Sequence, residues 1–201
     1  MAHMETILVT GGAGYIGSHT CIALLDAGYD VVVVDDLSNG SERAVSEAAA
    51  IAGSPITFHR IDVADADALD RVFASHRIDG VIHFAGLKAV GESVVEPLRY
   101  FRVNLGTTLA LTEAMAAHGV KRLVFSSSAT VYSPEAPVPL QEKAATGPTK
   151  PYGETKAMIE QMLTAAGAAD PALAVALLRY FNPVGAHESG RIGEDPAGIP
   201  N

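Results

Sequence analysis

Tyr152 and Lys156 place a phenol and an ammonium four residues apart, one helical turn, so both groups share a face. A free phenol titrates near ~10 and is a poor base at neutral pH. A lysine cation beside it favours the phenolate and pulls that value down, which makes the tyrosine a proton acceptor for a hydroxyl. Candidates for holding that hydroxyl stand in the run Ser126-Ser127-Ser128-Ala129-Thr130, directly after an apolar stretch that reads as a strand. Ser128 is the leading candidate for a first contact with a sugar or other hydroxylated substrate, and Thr130 is the next. Tyr152, Lys156 and Ser128 are the catalytic candidates.

The turn that would supply the redox partner lies near the start of the chain. Ile7-Leu8-Val9 reads as a buried strand, and Ile16, Cys21, Leu24 and Leu25 recur at helical spacing after it. Between them, Gly11, Gly14 and Gly17 have the spacing of a dinucleotide turn. The first permits a tight bend, the second lets backbone approach a pyrophosphate, and the third lets helix and strand close together. Free N–H groups and the dipole at the helix start favour the phosphate charge. A second apolar run, 31–34, ends in Asp35, roughly 20 residues downstream, where a carboxylate receives the adenosine ribose hydroxyls. That carboxylate would repel a 2′-phosphate, so NAD rather than NADP is expected. An oxidised nicotinamide cation beside Tyr152 would lower the phenol further.

The elements that must position these groups alternate along the chain. Strand patterns fall at 7–10, 31–35, 56–60, 81–84, 123–126 and 174–179. Helical patterns fall at about 14–27, 41–52, 97–118 and 152–166, with another capped by Asp65 that buries Leu69, Val72 and Phe73. Such alternation predicts an α/β fold, a Rossmann-like doubly wound parallel sheet with helices on both faces and functional loops at the carboxyl ends of its strands. Residues 133–151 hold five prolines and read as a long loop without a helix, a length that usually signals function. From 182 to 201 glycine and proline dominate again and no element closes the chain.

Composition narrows the function classes. A net charge of −9 over 201 residues argues against nucleic acid or an anionic membrane as partner. No stretch approaches the roughly 20 apolar residues of a membrane span. The single cysteine, Cys21, falls on an apolar helix face as a small hydrophobe, excludes an internal disulfide and fits a reducing cytoplasm. The seven histidines lack ligand spacing, so no metal site is expected, and His83, inside an apolar strand, reads as a core histidine. Residues 1–4 read as a cloning remnant with Met4 as the natural start.

Gly11 to Gly17, Asp35, the Ser128, Tyr152 and Lys156 set and the strand order resemble the extended short-chain dehydrogenase/reductase superfamily. Within it, three runs resemble the UDP-glucose (UDP-galactose) 4-epimerase family: His83-Phe84-Ala85-Gly86-Leu87-Lys88 through Ser93, Phe125-Ser126-Ser127-Ser128-Ala129-Thr130-Val131-Tyr132, and Leu178-Arg179-Tyr180-Phe181-Asn182 through Ala186. Gly193-Glu194-Asp195-Pro196 continues the resemblance to Asn201. It implies NAD-dependent epimerisation at carbon 4 of a UDP-hexose through a transient 4-keto sugar. Tyr152 would take the hydroxyl proton, Lys156 would lower the tyrosine and hold the nicotinamide ribose, and Ser128 would position the hydroxyl. Tyr15, Ile16, Asp35, Asn39, Asp62 and Val63 would line the NAD site from its adenosine end. Phe84, Ala85, Gly86, Leu87, Lys88, Ser126 and Phe181 would complete it, and Asn182 would contact the nucleotide sugar. Asn104 falls in an Asn-Leu-Gly-Thr stretch resembling the family's cofactor-facing asparagine region.

The same resemblance implies an NAD-binding domain at 1–181 and, at 182–201, the start of a truncated substrate-binding region. Ser133 departs from the family's glycine after Val-Tyr, which could alter the turn into the proline-rich loop. Two other functions compete. A nucleotide-sugar 4,6-dehydratase needs an acid where Ala129, Thr130 and Val131 stand, and a non-catalytic NAD-binding module would bind without turnover. Finally, helices 97–118 and 152–166 carry more apolar surface than one sheet face needs. Leu98, Leu105, Leu109 and Met115 are expected on one side, Phe101, Leu111 and Met158 elsewhere, and a homodimer through a four-helix bundle follows.

Overall fold

Val31, Val32, Val33 and Val34 are all buried, so their strand is covered on both faces, as a continuous apolar run requires in a parallel sheet. The computed structural model describes residues 4–195; positions 1–3, the bulk of the expected cloning remnant, and 196–201, the end of the family-like run, lie outside the described residues. The order is β1 (Thr6–Thr10), α1 (Tyr15–Asp26), β2 (Asp30–Asp35), α2 (Glu42–Ala52), β3 (Thr57–Arg60), α3 (Ala66–Ser75), β4 (Gly80–His83), α4 (Val90–Val95), α5 (Pro97–Ala117), β5 (Arg122–Ser128), α6 (Pro151–Ala169) and β6 (Ala174–Tyr180). The six strands are parallel in the order β3-β2-β1-β4-β5-β6. The chain therefore builds outward from β1 in one direction and restarts at β4 on its other side. Loops on the two sides diverge between β1 and β4, which opens a crevice at the carboxyl ends of those strands.

Two apolar layers sandwich the sheet. On one face Val9, Val31 and Val33 meet Cys21 and Ile22 of α1 and Val45 and Ala48 of α2. On the other, Leu8, Val32 and Val34 meet α3, α5 and α6 through Leu69, Phe73, Leu111, Met115, Ile159 and Leu163. Each Val, Leu, Ile, Met or Phe among them contributes roughly 1.5–3 kcal/mol by leaving water. Asp65 caps α3 by accepting from Ala68 N at 3.0 Å, and Leu69, Val72 and Phe73 are buried, as their spacing predicts. β6 alternates exposed and half-buried positions because it is the edge strand and one of its faces is open.

Four details differ from the sequence expectation. β5 runs on to Ser128, so Ser126, Ser127 and Ser128 stand in the strand and not after it. β4 ends at His83, leaving Phe84 in the following loop. α4 escaped the sequence reading because it is six residues long and no side chain caps it. The two sides expected for α5 are also rearranged. Met115 points inward with Leu111, both buried, and Leu105 is partly buried against the same core, whereas Leu98 and Leu109 are 76% and 48% exposed. Positions 111 and 115 are one turn apart and ride the core-facing stripe together, so they cannot be split between faces.

The stretch between β5 and α6 has a 3-10 turn at Ala129–Val131 and no helix in the proline-rich part. It is tied back by Ser133 N donating to Ala145 O at 2.9 Å and Gly147 N donating to Val131 O at 3.0 Å. Ser133 itself keeps a negative φ, so the backbone there makes no demand for glycine. Beyond β6, Ile192 is buried against the α1–α2 layer and Arg191 Nε donates to Glu47 Oε2 at 2.7 Å. No helix among the described residues is long and apolar enough to cross a membrane.

Candidate active site

The glycine turn sits at the carboxyl end of β1 because no other residue fits it. Gly11 has φ +73°, and a Cβ there would lie 2.6 Å from Ala85 N. A Cβ on Gly17 would lie 2.3 Å from Gly11 O, so α1 closes onto the turn only through a bare Cα. Gly14 differs: the nearest atom to its absent Cβ is Gly11 O at 3.3 Å, and the space beside it is otherwise open. α1 begins at Tyr15 with Gly14 as N-cap, and no side chain caps its first turn. Uncapped first-turn N–H groups beside an open glycine form a cradle for an anion.

Asp35, at the end of β2, is 8% exposed and borders that cradle. Its Oδ2 accepts from Ala13 N at 3.0 Å and its Oδ1 from Leu37 N at 2.9 Å. Burial raises the carboxyl above its ordinary value, while these two backbone bonds pull it back toward the ionised form. Leu37 takes φ 63°, unusual for a side chain of its kind, so the chain bends sharply just after the residue whose N–H the carboxylate holds. Asn39 is exposed on the same connection, where Ser41 N donates to Ala13 O at 3.1 Å. Asp62 and Val63 follow β3, the first exposed and the second buried.

The loop after β4 carries Phe84, Ala85, Gly86, Leu87 and Lys88 past the turn. Asn104 of α5 is 2% exposed and grips this loop rather than facing the crevice. Its Oδ1 accepts from Leu87 N at 2.8 Å, and its Nδ2 donates to Leu87 O at 3.1 Å and to Thr155 Oγ1 at 3.0 Å. The amide is thus committed to the protein, and it locks the 84–88 loop to α5 and α6. Lys88 pairs with Glu194 at 3.5 Å. His83 is the core histidine that its apolar strand predicts. Its ring nitrogens lie 2.6 Å from Thr10 Oγ1 and 3.0 Å from Thr108 Oγ1, and burial drives it down to about 3, so it stays neutral.

Ser128, Tyr152 and Lys156 meet where β5 faces the start of α6. Gly153 makes the approach possible, since a Cβ there would lie 2.7 Å from Thr130 O. Thr130 Oγ1 donates to Ser128 Oγ at 2.9 Å, and its N–H reaches the same oxygen at 3.2 Å. Thr130 therefore orients Ser128 as well as facing outward. Lys156 is buried, donates from Nζ to Ser126 O at 2.8 Å, and lies 4.7 Å from the Phe125 ring centroid and 5.8 Å from that of Tyr152. Burial lowers its ammonium to about 8, which leaves it mostly charged at neutral pH. The Tyr152 phenol is pushed upward by burial, against a hydrogen bond with Ser128 that pulls it down. The protein's own groups thus act opposite to the lowering expected with a nicotinamide cation alongside, because desolvation outweighs the hydroxyl and the lysine aims at the Ser126 carbonyl.

Phe181 and Asn182 follow β6, and Phe181 is 64% exposed, a large apolar side chain held in the open. Sequence reasoning missed a further group beneath the site. Glu160 accepts from Ser127 Oγ at 2.5 Å and from Arg179 Nε and Nη2 at 2.9 and 2.6 Å. The only sequence signal for it is that Glu160 lies one helical turn beyond Lys156.

Comparison with known proteins agrees with this geometry. The UDP-glucose 4-epimerase of Bacillus subtilis (strain 168) is 58% identical over 195 residues, covering 97% of this chain and 58% of that protein. UDP-glucose 4-epimerase 1 of Oryza sativa subsp. japonica is 55% identical, covering 100% of this chain and 57% of its own length. The chain therefore spans somewhat over half the length of the curated relatives it matches. Among solved structures, the Bifidobacterium longum UDP-glucose 4-epimerase in complex with NAD+ and UDP superposes with a TM-score of 0.95 at 52% identity, covering 98% of this chain and 59% of that one. The profile of the NAD dependent epimerase/dehydratase family matches residues 7–197, nearly the whole sequence, and the chain belongs to that family.

Proposed function

We propose that this chain is the cofactor-bearing part of an NAD-dependent UDP-hexose 4-epimerase of the UDP-glucose/UDP-galactose type. The observation that carries the reading is the meeting of Ser128, Tyr152 and Lys156 beside the glycine cradle, in a chain whose relatives bear that name. The residues fit NAD: Gly14 leaves room for a pyrophosphate, the first turn of α1 offers uncapped N–H groups, and Asp35 keeps lone pairs for a ribose diol. Tyr15, Ile16, Asn39, Asp62, Val63, residues 84–88, Ser126 and Phe181 would surround it. Asn104 would act through the loop it grips.

Bound NAD supplies the site with a reversible hydride acceptor. The chain's own residues handle the proton. Ser128 holds the carbon-4 hydroxyl in line with the Tyr152 oxygen, and Thr130 fixes Ser128. Tyr152 takes that proton and returns it, and the Lys156 charge stabilises the phenolate while the proton is away. Hydride would leave one face of carbon 4 and, after the 4-keto sugar has rotated, return to the other, so the ketone would be transient, the configuration would invert and no net oxidation would result. Asn182 would meet the nucleotide sugar as it enters across β6. Residues 1–181 would form the NAD domain and 182–201 the beginning of the substrate-facing region.

A second copy of the chain is the proposed partner, through the α5–α6 face on which Leu98, Leu109 and Met158 stand exposed. The single thiol, buried at Cys21, suits a reducing cytoplasm. Incubation with NAD and UDP-galactose, followed by chromatography for UDP-glucose, tests the enzymatic reading. Conversion supports it; NAD binding without conversion favours the non-catalytic module.

A further inference from the structure

Three segments that bear the proposed site residues converge on one buried carboxylate. Glu160 belongs to α6, one turn past Lys156 and two past Tyr152. Its Oε1 accepts from Ser127 Oγ at 2.5 Å and from Arg179 Nε at 2.9 Å, and its Oε2 accepts from Arg179 Nη2 at 2.6 Å. Ser127 stands on β5 between Ser126, whose carbonyl holds Lys156, and Ser128, whose hydroxyl faces Tyr152. Arg179 stands on β6, two residues before Phe181. Its Nη1 donates to Glu142 O at 3.0 Å in the proline-rich loop, and its guanidinium lies 4.7 Å over the Tyr132 ring.

We propose that Glu160, held by Arg179, is a positioning residue for the Tyr152–Ser128–Lys156 site: it fixes the end of β5 against α6 so that the Ser128 hydroxyl stays on the Tyr152 phenol. The proposal rests on the reading of that site as an acid–base centre. Successive strand residues face opposite ways, so Ser127 points to Glu160 and Ser128 to the crevice. Anchoring Ser127 therefore sets how far Ser128 projects without occupying its hydroxyl. Stability alone does not account for the arrangement. Well-packed apolar residues of similar volume replace a buried ion pair at little or no cost, but they supply no directional contact to a strand end. Here each carboxylate oxygen is in use and both donors lie on different strands, so α6 is registered to β5 and β6 at once.

The test reads Tyr152 directly. Tyrosines labelled at the ring carbon bearing the hydroxyl are titrated by carbon-13 NMR in the full chain, and the Tyr152 signal is assigned by its loss in Tyr152→Phe. The groups facing the phenol are the Ser128 hydroxyl from β5 and the Lys156 ammonium from its own helix. In the double variant Glu160→Leu/Arg179→Met, the buried carboxylate and its half-buried guanidinium partner go together, so no uncompensated charge is left and the fold is expected to survive. The Tyr152 midpoint is expected to rise by about half a pH unit or more, as the lowering hydrogen bond from Ser128 loosens. Glu160→Gln keeps an acceptor for Ser127 and should leave the midpoint near that of the parent. A folded double variant with an unmoved midpoint overturns the proposal. Where the double variant does not fold, Ser127→Ala removes one hydroxyl only; it must raise the midpoint too, and an unmoved midpoint there is equally fatal. The epimerase reading fails separately, by absence of UDP-galactose conversion in the unsubstituted chain, while the Tyr152 midpoints still judge the clamp.

Discussion

Replacing Lys156 with methionine should make the fold more stable at neutral pH while removing the site's cation. Burial lowers the ammonium from 10.5 to about 8. Every pH unit separating the folded and unfolded midpoints is worth about 1.4 kcal/mol, so the charged side chain destabilises the folded state by about 3 kcal/mol. Below pH 8 both folded and unfolded chains carry the proton, and the penalty is present in full. Between pH 8 and 10.5 the folded state sheds its proton first, so stability climbs with pH; above 10.5 the penalty is gone. Methionine has nearly the same length and no charge. It leaves the Ser126 carbonyl without the lysine donor, a loss of about 1 kcal/mol. The net gain at pH 7 is then about 2 kcal/mol, or roughly 4–8 °C in melting temperature for a chain of this size.

Urea unfolding of both proteins at pH 7, 8, 9 and 10 measures the difference. Other groups titrate in or above that window, buried Cys21 pushed up to about 12 and half-buried Tyr180 raised as well, but they are common to both proteins and cancel. The gap should be widest at pH 7 and shrink toward pH 10. A methionine variant less stable than the parent at pH 7, or a gap that ignores pH, would refute the claim that burial of this ammonium is a net cost. A net cost of that size, at a position beside Tyr152, is what the proposed role of Lys156 as the site's cation would require the fold to tolerate.

The two glycines of the turn should fail differently. Gly17→Ala puts a Cβ 2.3 Å from Gly11 O and should destabilise the fold by about 1–3 kcal/mol, whereas Gly14→Ala should fold normally and lose NAD binding; parallel melting curves and calorimetric titrations distinguish them. Asp35→Ala should weaken NAD and bring NADP closer to it in affinity, and titration of the unsubstituted chain should favour NAD strongly; equal affinities before substitution would mean that Asp35 does not face the ribose. Sedimentation at micromolar concentration should find a dimer, which Leu109→Asp dissociates; a dimer that survives this change rests on another surface.

What could be read from the sequence was what repeats or sits close along the chain. The four valines of β2 announce a strand buried on both faces, Asp65 announces the start of α3, and Tyr152 with Lys156 announces a shared helical face. Each signal lies within one or two turns or one strand, and so survives without knowledge of the partner elements. The Glu160 cluster carries no such mark, because its bonds join residues 33 and 19 positions apart and a lone Ser, Glu and Arg have no period. Asn104 illustrates the same limit from the other side. Its family-like setting pointed to the cofactor region, but only the fold reveals that its amide closes on Leu87 and Thr155 and that it reaches the crevice through a loop. The apolar surplus on α5 was legible as an amount, not as a direction, since Leu109 and Leu111 are two residues apart and therefore lie on different faces. Groups proposed to perform the chemistry are thus marked by local spacing, while those that hold them in register are marked by distance in the chain. A substitution scan confined to recognisable motifs would find Tyr152 and pass over the carboxylate that keeps Ser128 beside it.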